Sequence, residues 1–214
     1  MTQLATRPER VAAPGGAPRR RTLVGLAVAV LVGYVVLMAS GADIAADTKV
    51  SDIQDLYDYS RTIAQVIAFG AMVFVALLLF FGAALRHALR QRGATWPADV
   101  TFLGFGALAA TVASWAVEDS AMWRAVDVGD ESAIRTLAAI TDAGFLPLMA
   151  SMVALYVGTG IAGLTTAAIP KWLAIASIAI GVVAPMSVLG FVGAALLPVW
   201  VLAVALTVRL EPSA

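Results

Sequence analysis

The sequence predicts an all-α fold, a polytopic transmembrane bundle of six spans with both termini on the cytoplasmic side. Three observations carry that reading. Apolar residues make up 61% of the chain and charged residues 13%, where water-soluble domains run at about 45–50% and 25%. Apolar stretches of membrane-crossing length recur along the chain. Between them the sign of the charge alternates. Arg7, Arg10, Arg19, Arg20 and Arg21 precede the first stretch, and Asp43, Asp47, Asp52, Asp55 and Asp58 follow it. Arg86, Arg90 and Arg92 follow the second; Glu118, Asp119, Asp127, Asp130 and Glu131 follow the third; Lys171 follows the fourth and Arg209 the last. Basic loops stay inside, which places the aspartate-rich loops outside.

Residues 1–21 combine Pro8, Pro14, Pro18 and the Gly15-Gly16 pair with the arginines and almost no large apolar side chains. They read as a disordered basic cytoplasmic tail. Its arginines can rest on anionic lipid head groups, each contributing about 1 kcal/mol near such a surface. The transmembrane domain then covers 22–210, with spans near 22–40, 62–85, 100–117, 136–162, 172–189 and 191–208. The first span also resembles a secretory signal, with a basic start, an apolar stretch from Leu23 to Met38 and small residues Ala39 to Ala42. Its apolar run is long for that role, so it is expected to stay attached. The last two spans come from one apolar run, 172–208, which as a single helix would measure about 55 Å, nearly twice the roughly 30 Å hydrocarbon core. It must turn back, and Pro185 with Gly190 marks the turn. Trp96, Trp115, Trp123, Trp172 and Tyr34 fall near predicted interfaces, as an aromatic belt would.

In the first outer loop Ser51 and Gln54 stand at capping-box spacing, and Ile53, Leu56, Tyr57 and Ser60 recur at helical intervals. A short amphipathic helix is expected there, turning Asp52, Asp55 and Asp58 to water. These aspartates lack the spacing that wraps a calcium ion, so no metal site is assigned.

Most membrane-enzyme chemistries lack their residues. The lysines are Lys49 and Lys171, both in loops, so no intramembrane Schiff base can form. The single histidine, His87, sits at the cytoplasmic edge of the second span and cannot build a bis-histidine haem or a multi-histidine zinc site. There is no cysteine and no phosphate-binding glycine loop. With 14 basic and 14 acidic residues the net charge is zero, so no global field points to nucleic acid. No cofactor is expected.

Asp142 is the one ionisable residue placed well inside an apolar span, seven residues after Arg135 and about 10 Å below the outer surface. A charge at mid-membrane costs about 2.5–3.5 kcal/mol on insertion scales, so Asp142 is expected to face other helices or water. Arg61 and Arg135 are its candidate ion-pair partners, and Ser114, Thr111 and Thr141 its candidate hydrogen-bond donors. Gly106, Ala110 and Ser114 stand four apart in the third span, a small-residue stripe expected to admit a close neighbour within the bundle or in a homodimer. Pro147, Pro185 and Pro198 fall inside spans, where kinks form.

Arg61 opening the second span, Gly144-Phe145-Leu146-Pro147 in the fourth, the Ile169-Pro170-Lys171-Trp172-Leu173 turn and Leu196-Leu197-Pro198-Val199-Trp200 in the last resemble a broad family of uncharacterised six-span bacterial membrane proteins of the actinobacterial type. The resemblance implies a six-helix bundle in the bacterial cytoplasmic membrane and carries over no catalytic residue. The expected function is non-catalytic, acting through helix packing, a protein partner or the lipid bilayer. The alternative is a small secondary carrier or channel whose polar site includes Asp142.

Overall fold

The computed structural model describes residues 20–40 and 44–210, so most of the basic tail lies outside the described residues. Among them eight helices form: α1 (Arg20–Ser40), α2 (Val50–Leu56), α3 (Arg61–Gln91), α4 (Trp96–Val128), α5 (Glu131–Ala143), α6 (Phe145–Thr166), α7 (Lys171–Val183) and α8 (Ser187–Thr207). Six of the helices pack as a ring in chain order, α1 on α3, α3 on α4, α4 on α6, α6 on α7 and α7 on α8, and α8 closes the ring against α1. One end of the ring gathers Arg20, Arg86, Arg90, Lys171 and Arg209; the other gathers the aspartates of α2 and its flanks together with Glu118, Asp119 and Asp127. At the basic end the Arg20 guanidinium donates to the Leu206 carbonyl. There too the Arg209 amide donates to the Ala168 carbonyl at 2.8 Å.

The helix boundaries follow from local chemistry. Gly129 adopts the left-handed conformation (φ 71°) that ends α4, and Asp130 then caps α5 by accepting from the Ala133 amide at 3.1 Å. Ser60 caps α3, whose amide partner is Ile63. Ser51 does not cap α2. That helix begins at Val50, and the Ser51 hydroxyl donates to Asp52 instead. On α2, Val50 and Ile53 are buried, as is Tyr57 just beyond it, whereas Asp52, Asp55 and Asp58 are exposed. Ala167 ends α6 in the left-handed region at φ 52°, a conformation that favours glycine.

Two glycines let α4 and α6 approach backbone to backbone. A Cβ on Gly104 would lie 2.4 Å from the Leu155 amide nitrogen, and one on Gly158 would lie 2.8 Å from the Thr101 nitrogen. The stripe Gly106, Ala110, Ser114 is not the bundle's packing face. Ala110 and Ser114 are exposed, and a Cβ on Gly106 meets nothing within 4 Å. Two positions along a helix turn a side chain by about 200°, so moving from Gly104 to Gly106 exchanges the inner face for the outer one.

The interior is apolar, built around Phe81 and Leu85 of α3, Phe105 of α4, Leu155 and Tyr156 of α6, and Val201 of α8. Its buried hydroxyls are already used. Thr101, Thr111, Ser151, Thr159 and Ser177 each donate to a carbonyl of their own helix at 2.7–3.0 Å. Pro198 is the proline inside a helix. Lacking an N–H, it leaves the carbonyl four residues earlier, that of Ala194, without its helical donor. The Tyr34 hydroxyl of α1 donates to that carbonyl at 2.9 Å, and the Tyr156 hydroxyl of α6 donates to the neighbouring Gly193 carbonyl at 2.9 Å. Trp200 meets Tyr156 edge to face at 4.7 Å and donates to Ser177 at 2.8 Å, which ties α8 to α7. Pro147 lies in the first turn of α6, where no helical donor is missing, and Pro185 lies in the turn between α7 and α8.

Four stretches are long and apolar enough to cross a membrane: Arg20–Met38, Arg61–Gln91, Trp96–Val128, and Glu131–Thr166 taken through α5 and α6 together. α7 and Phe191–Thr207 of α8 are apolar but shorter. Helix length thus supports four crossings where the sequence reading expects six. α7, at 13 residues, measures about 20 Å, because Pro185 cannot continue its hydrogen-bond ladder.

Gly104→Val is expected to lower the stability of the detergent-solubilised protein by more than the roughly 1–3 kcal/mol of ordinary overpacking, since backbone lies in its way. Ala110→Leu is expected to leave it unchanged. Thermal unfolding of the two variants is the check, and the opposite order would reverse the assigned face of α4.

Candidate functional site

Polar chemistry in this chain sits at the two ends of the ring. At the basic end Asp99, in the first turn of α4, is held by two arginines from the last turns of α3. The Arg86 Nε donates at 2.6 Å and the Arg90 Nη2 at 2.5 Å, one to each carboxylate oxygen. Arg86 also lies over the Phe102 ring, 5.4 Å from its centroid. The carboxylate faces a helix N-terminus and the cations a helix C-terminus, the arrangement that helix dipoles favour. All three side chains are at least a third exposed, so this clamp sets the α3–α4 turn more than it stabilises the fold.

At the acidic end, the last turns of α4 project past its uncharged stretch 100–117 and pack with α2 and α5. Ile44, Ile53, Met122, Ala125, Ile134 and Ala138 form a second small core there. Two bonds fasten the segment between α2 and α3 onto α4. The Tyr57 hydroxyl donates to the Asp119 carboxylate at 2.7 Å, and the Trp123 indole donates to the Tyr59 carbonyl at 3.0 Å. Burial, with the Asp119 carboxylate as acceptor and neighbour, holds the Tyr57 phenol far above the usual tyrosine range. Burial and then the charge of Asp119 push Tyr59 up to about 12.

Asp142 is placed differently from its expected position. It is exposed, one residue before α5 ends at Ala143, and has neither an ion pair nor a hydrogen bond among the described residues. The apolar run 136–162 is not one helix, because α5 stops and α6 restarts at Gly144. α6 has 22 residues, about 33 Å, which is a full crossing by itself and leaves Asp142 beyond it. A Cβ on Gly144 would lie 2.8 Å from the Trp115 indole nitrogen, so this bend is pressed against α4. The proposed partners scatter. Arg135 is exposed on α5, Ser114 donates to the Glu118 Oε1 at 2.8 Å, and Arg61 lines a separate cleft.

Two cavities open at this end. A groove of about 630 Å³ is lined by Glu118, Thr136, Ala139, Ile140, Ala143, Gly144 and Pro147. Its second carboxylate oxygen, the Glu118 Oε2, is buried without a partner. A smaller cleft of about 230 Å³ lies between α3 and α4, lined by Arg61, Gln65, Ala68, Ser120, Trp123 and Arg124. Sequence reading passed over Glu118 and Arg124 as sites. Arg124 did carry a signal, as the one cation between Glu118 and Glu131 in an otherwise acidic block. Among the described residues, no three histidine, aspartate or glutamate side chains converge as metal ligands would.

No protein-family model, curated protein or solved structure matches the chain.

The Tyr57–Asp119 bond predicts how the acidic end opens. A tyrosine whose folded pKa is raised stabilises the folded form fully below its unfolded value of 10.0 and loses that contribution as pH rises through the folded value. Amide exchange in α2 is therefore expected to stay slow up to about pH 10 and to quicken, beyond its intrinsic rise, from there toward pH 12. Tyr57→Phe is expected to speed that exchange roughly tenfold at neutral pH, since a half-buried bond to a carboxylate contributes about 1.5 kcal/mol. Unchanged α2 exchange in the variant would remove Tyr57 as the fastener.

Proposed function

We propose that the chain is a multi-pass protein of the bacterial cytoplasmic membrane, N-in and C-in, with six membrane-embedded helices and a non-catalytic role exercised through lipid or protein contacts at its surface. One observation supports the role above the others. Among the described residues, every serine and threonine hydroxyl buried between the helices is satisfied by its own helix, the Tyr156 hydroxyl by a carbonyl of α8, and no buried residue carries a charged side chain. A carrier needs groups that exchange partners with its cargo, and among the described residues the space between the helices offers no free hydroxyl and no buried charged residue. Asp142, the residue on which a carrier reading rested, stands on the outside of α5.

The charge segregation supports the topology, with Arg86, Arg90, Lys171 and Arg209 on the inner side and the α2 aspartates on the outer side. α7 and α8 form a short apolar hairpin whose turn at 184–186 lies toward the acidic end; together they return the chain to the basic side.

Single cysteines at the exposed positions Ser51, Ser132 and Thr95 test the topology against a cysteine-free background. The first two are expected to react with an impermeant thiol reagent on intact cells, and Thr95→Cys only after lysis. External labelling of Thr95→Cys overturns the orientation.

Vesicles loaded with a pH-sensitive dye test the role. The reconstituted protein is expected to move no more protons than empty vesicles do after a pH jump, and Asp142→Asn to behave as the parent does. Proton movement in the parent that vanishes in Asp142→Asn would restore the carrier.

A further inference from the structure

The cleft between α3 and α4 has a composition unlike the rest of the acidic end. From α3 it takes Arg61 and Gln65, one turn apart on one stripe, with Ala68 a further turn along; from α4 it takes Ser120, Trp123 and Arg124. Among the described residues neither arginine has a carboxylate within 4 Å, nor a hydrogen bond, although aspartates crowd this end of the molecule. The reason lies in the neighbouring acids. Asp119 accepts from Tyr57 and Glu118 accepts from Ser114, and Asp127, three residues beyond Arg124, forms no ion pair with it among the described residues. Two uncompensated guanidinium groups thus share one cleft with an amide and a hydroxyl. Guanidinium forks match the paired oxygens of a phosphate, and do so more tightly when no internal carboxylate competes.

The cleft's depth in the fold selects the source of that phosphate. Arg61 immediately precedes the uncharged stretch 62–85 of α3, and Ser120 stands three residues past the uncharged stretch 100–117 of α4. Both lie where the apolar part of their helix stops. Beyond the cleft along α3, Val66 (65% exposed), Phe69 (71%) and Val73 are left uncovered by any other helix. A volume of about 230 Å³ is below the roughly 300–1,000 Å³ of pockets that enclose a whole drug-sized molecule, and suits a head group whose remainder lies outside.

We propose that this cleft binds the phosphodiester of a net-anionic phospholipid, with Arg61 and Arg124 on the phosphate oxygens, Gln65 and Ser120 on the head group, and the acyl chains along the exposed apolar face of α3. The proposal rests on the membrane reading above and names the lipid class for it. It adds an anionic-lipid contact, at a site formed by two helices, to the one expected of the basic tail.

The test uses the full chain in detergent, titrated with dioctanoyl phosphatidylglycerol and followed by native mass spectrometry. Saturable binding is expected, weakened at least tenfold in Arg61→Gln/Arg124→Gln. Arg135→Gln, which removes another exposed arginine outside the cleft, is expected to bind as the parent does. Circular dichroism and the lipid-free thermal midpoint establish that the double variant folds. Dioctanoylglycerol, which lacks the phosphate, is expected not to compete, and inorganic phosphate to compete only at concentrations at least tenfold higher than the lipid. Inorganic phosphate binding as tightly as the lipid overturns the lipid assignment in favour of a soluble anion. Equal loss in Arg135→Gln, or unchanged binding in the folded double variant, overturns the site. Failure of the membrane reading is read separately, from recovery of the chain in the soluble fraction of lysed cells without detergent.

Discussion

The bundle depends on the contact between α4 and α6, where Gly104 and Gly158 remove the side chains that would hold two backbones apart. α4 packs on α3 and α5 as well, and α6 on α7, so this contact joins the first half of the ring to the second. In a lipid surround apolar burial does not drive helices together, because hydrocarbon is outside as well as inside; close van der Waals approach has to supply the association. The Thr159 hydroxyl, which already donates to the Leu155 carbonyl, lies 3.3 Å from the Thr101 hydroxyl across this contact, so a polar pair marks its register.

Ring closure rests on a different device. Pro198 frees a carbonyl in α8, and in a dry interior a free carbonyl costs several kcal/mol. Tyr34 satisfies it, and Tyr156 binds the adjacent carbonyl, so helices from opposite sides of α8 are drawn to the same turn. The defect in one helix thereby becomes the attachment point for two others. Each buried serine or threonine hydroxyl is spent on its own helix, so among the described residues the space between the helices is left without a free hydroxyl.

That economy sends the chemistry to the ends. At the basic end Asp99 takes up two arginines; at the acidic end Tyr57 and Ser114 take up Asp119 and Glu118. The leftover charge is therefore not where composition suggests. The acidic end carries a pair of cations, Arg61 and Arg124, without an ion pair among the described residues, while Asp119 and Glu118 are taken up by neutral donors.

The all-helical fold, the apolar stretches and the segregation of charge were legible in the sequence, since hydropathy and charge sign belong to individual residues and survive any rotation of a helix. So was the short helix α2 with its aspartates turned outward, although Leu56, expected on its apolar repeat, is half exposed. The inward face of α4 was not. That helix is apolar on all sides across its central stretch, so nothing in its sequence distinguishes Gly104 from Gly106, and only the fit against Leu155 selects between them. The place of Asp142 was not legible either, because the break at Gly144 interrupts an apolar run that hydropathy reads as continuous. The pairings of Asp119, Asp99 and Glu118 were decided by tertiary structure for the same physical reason: a hydrogen bond acts over about 3 Å, and which groups come within that distance depends on how the helices rotate and stack.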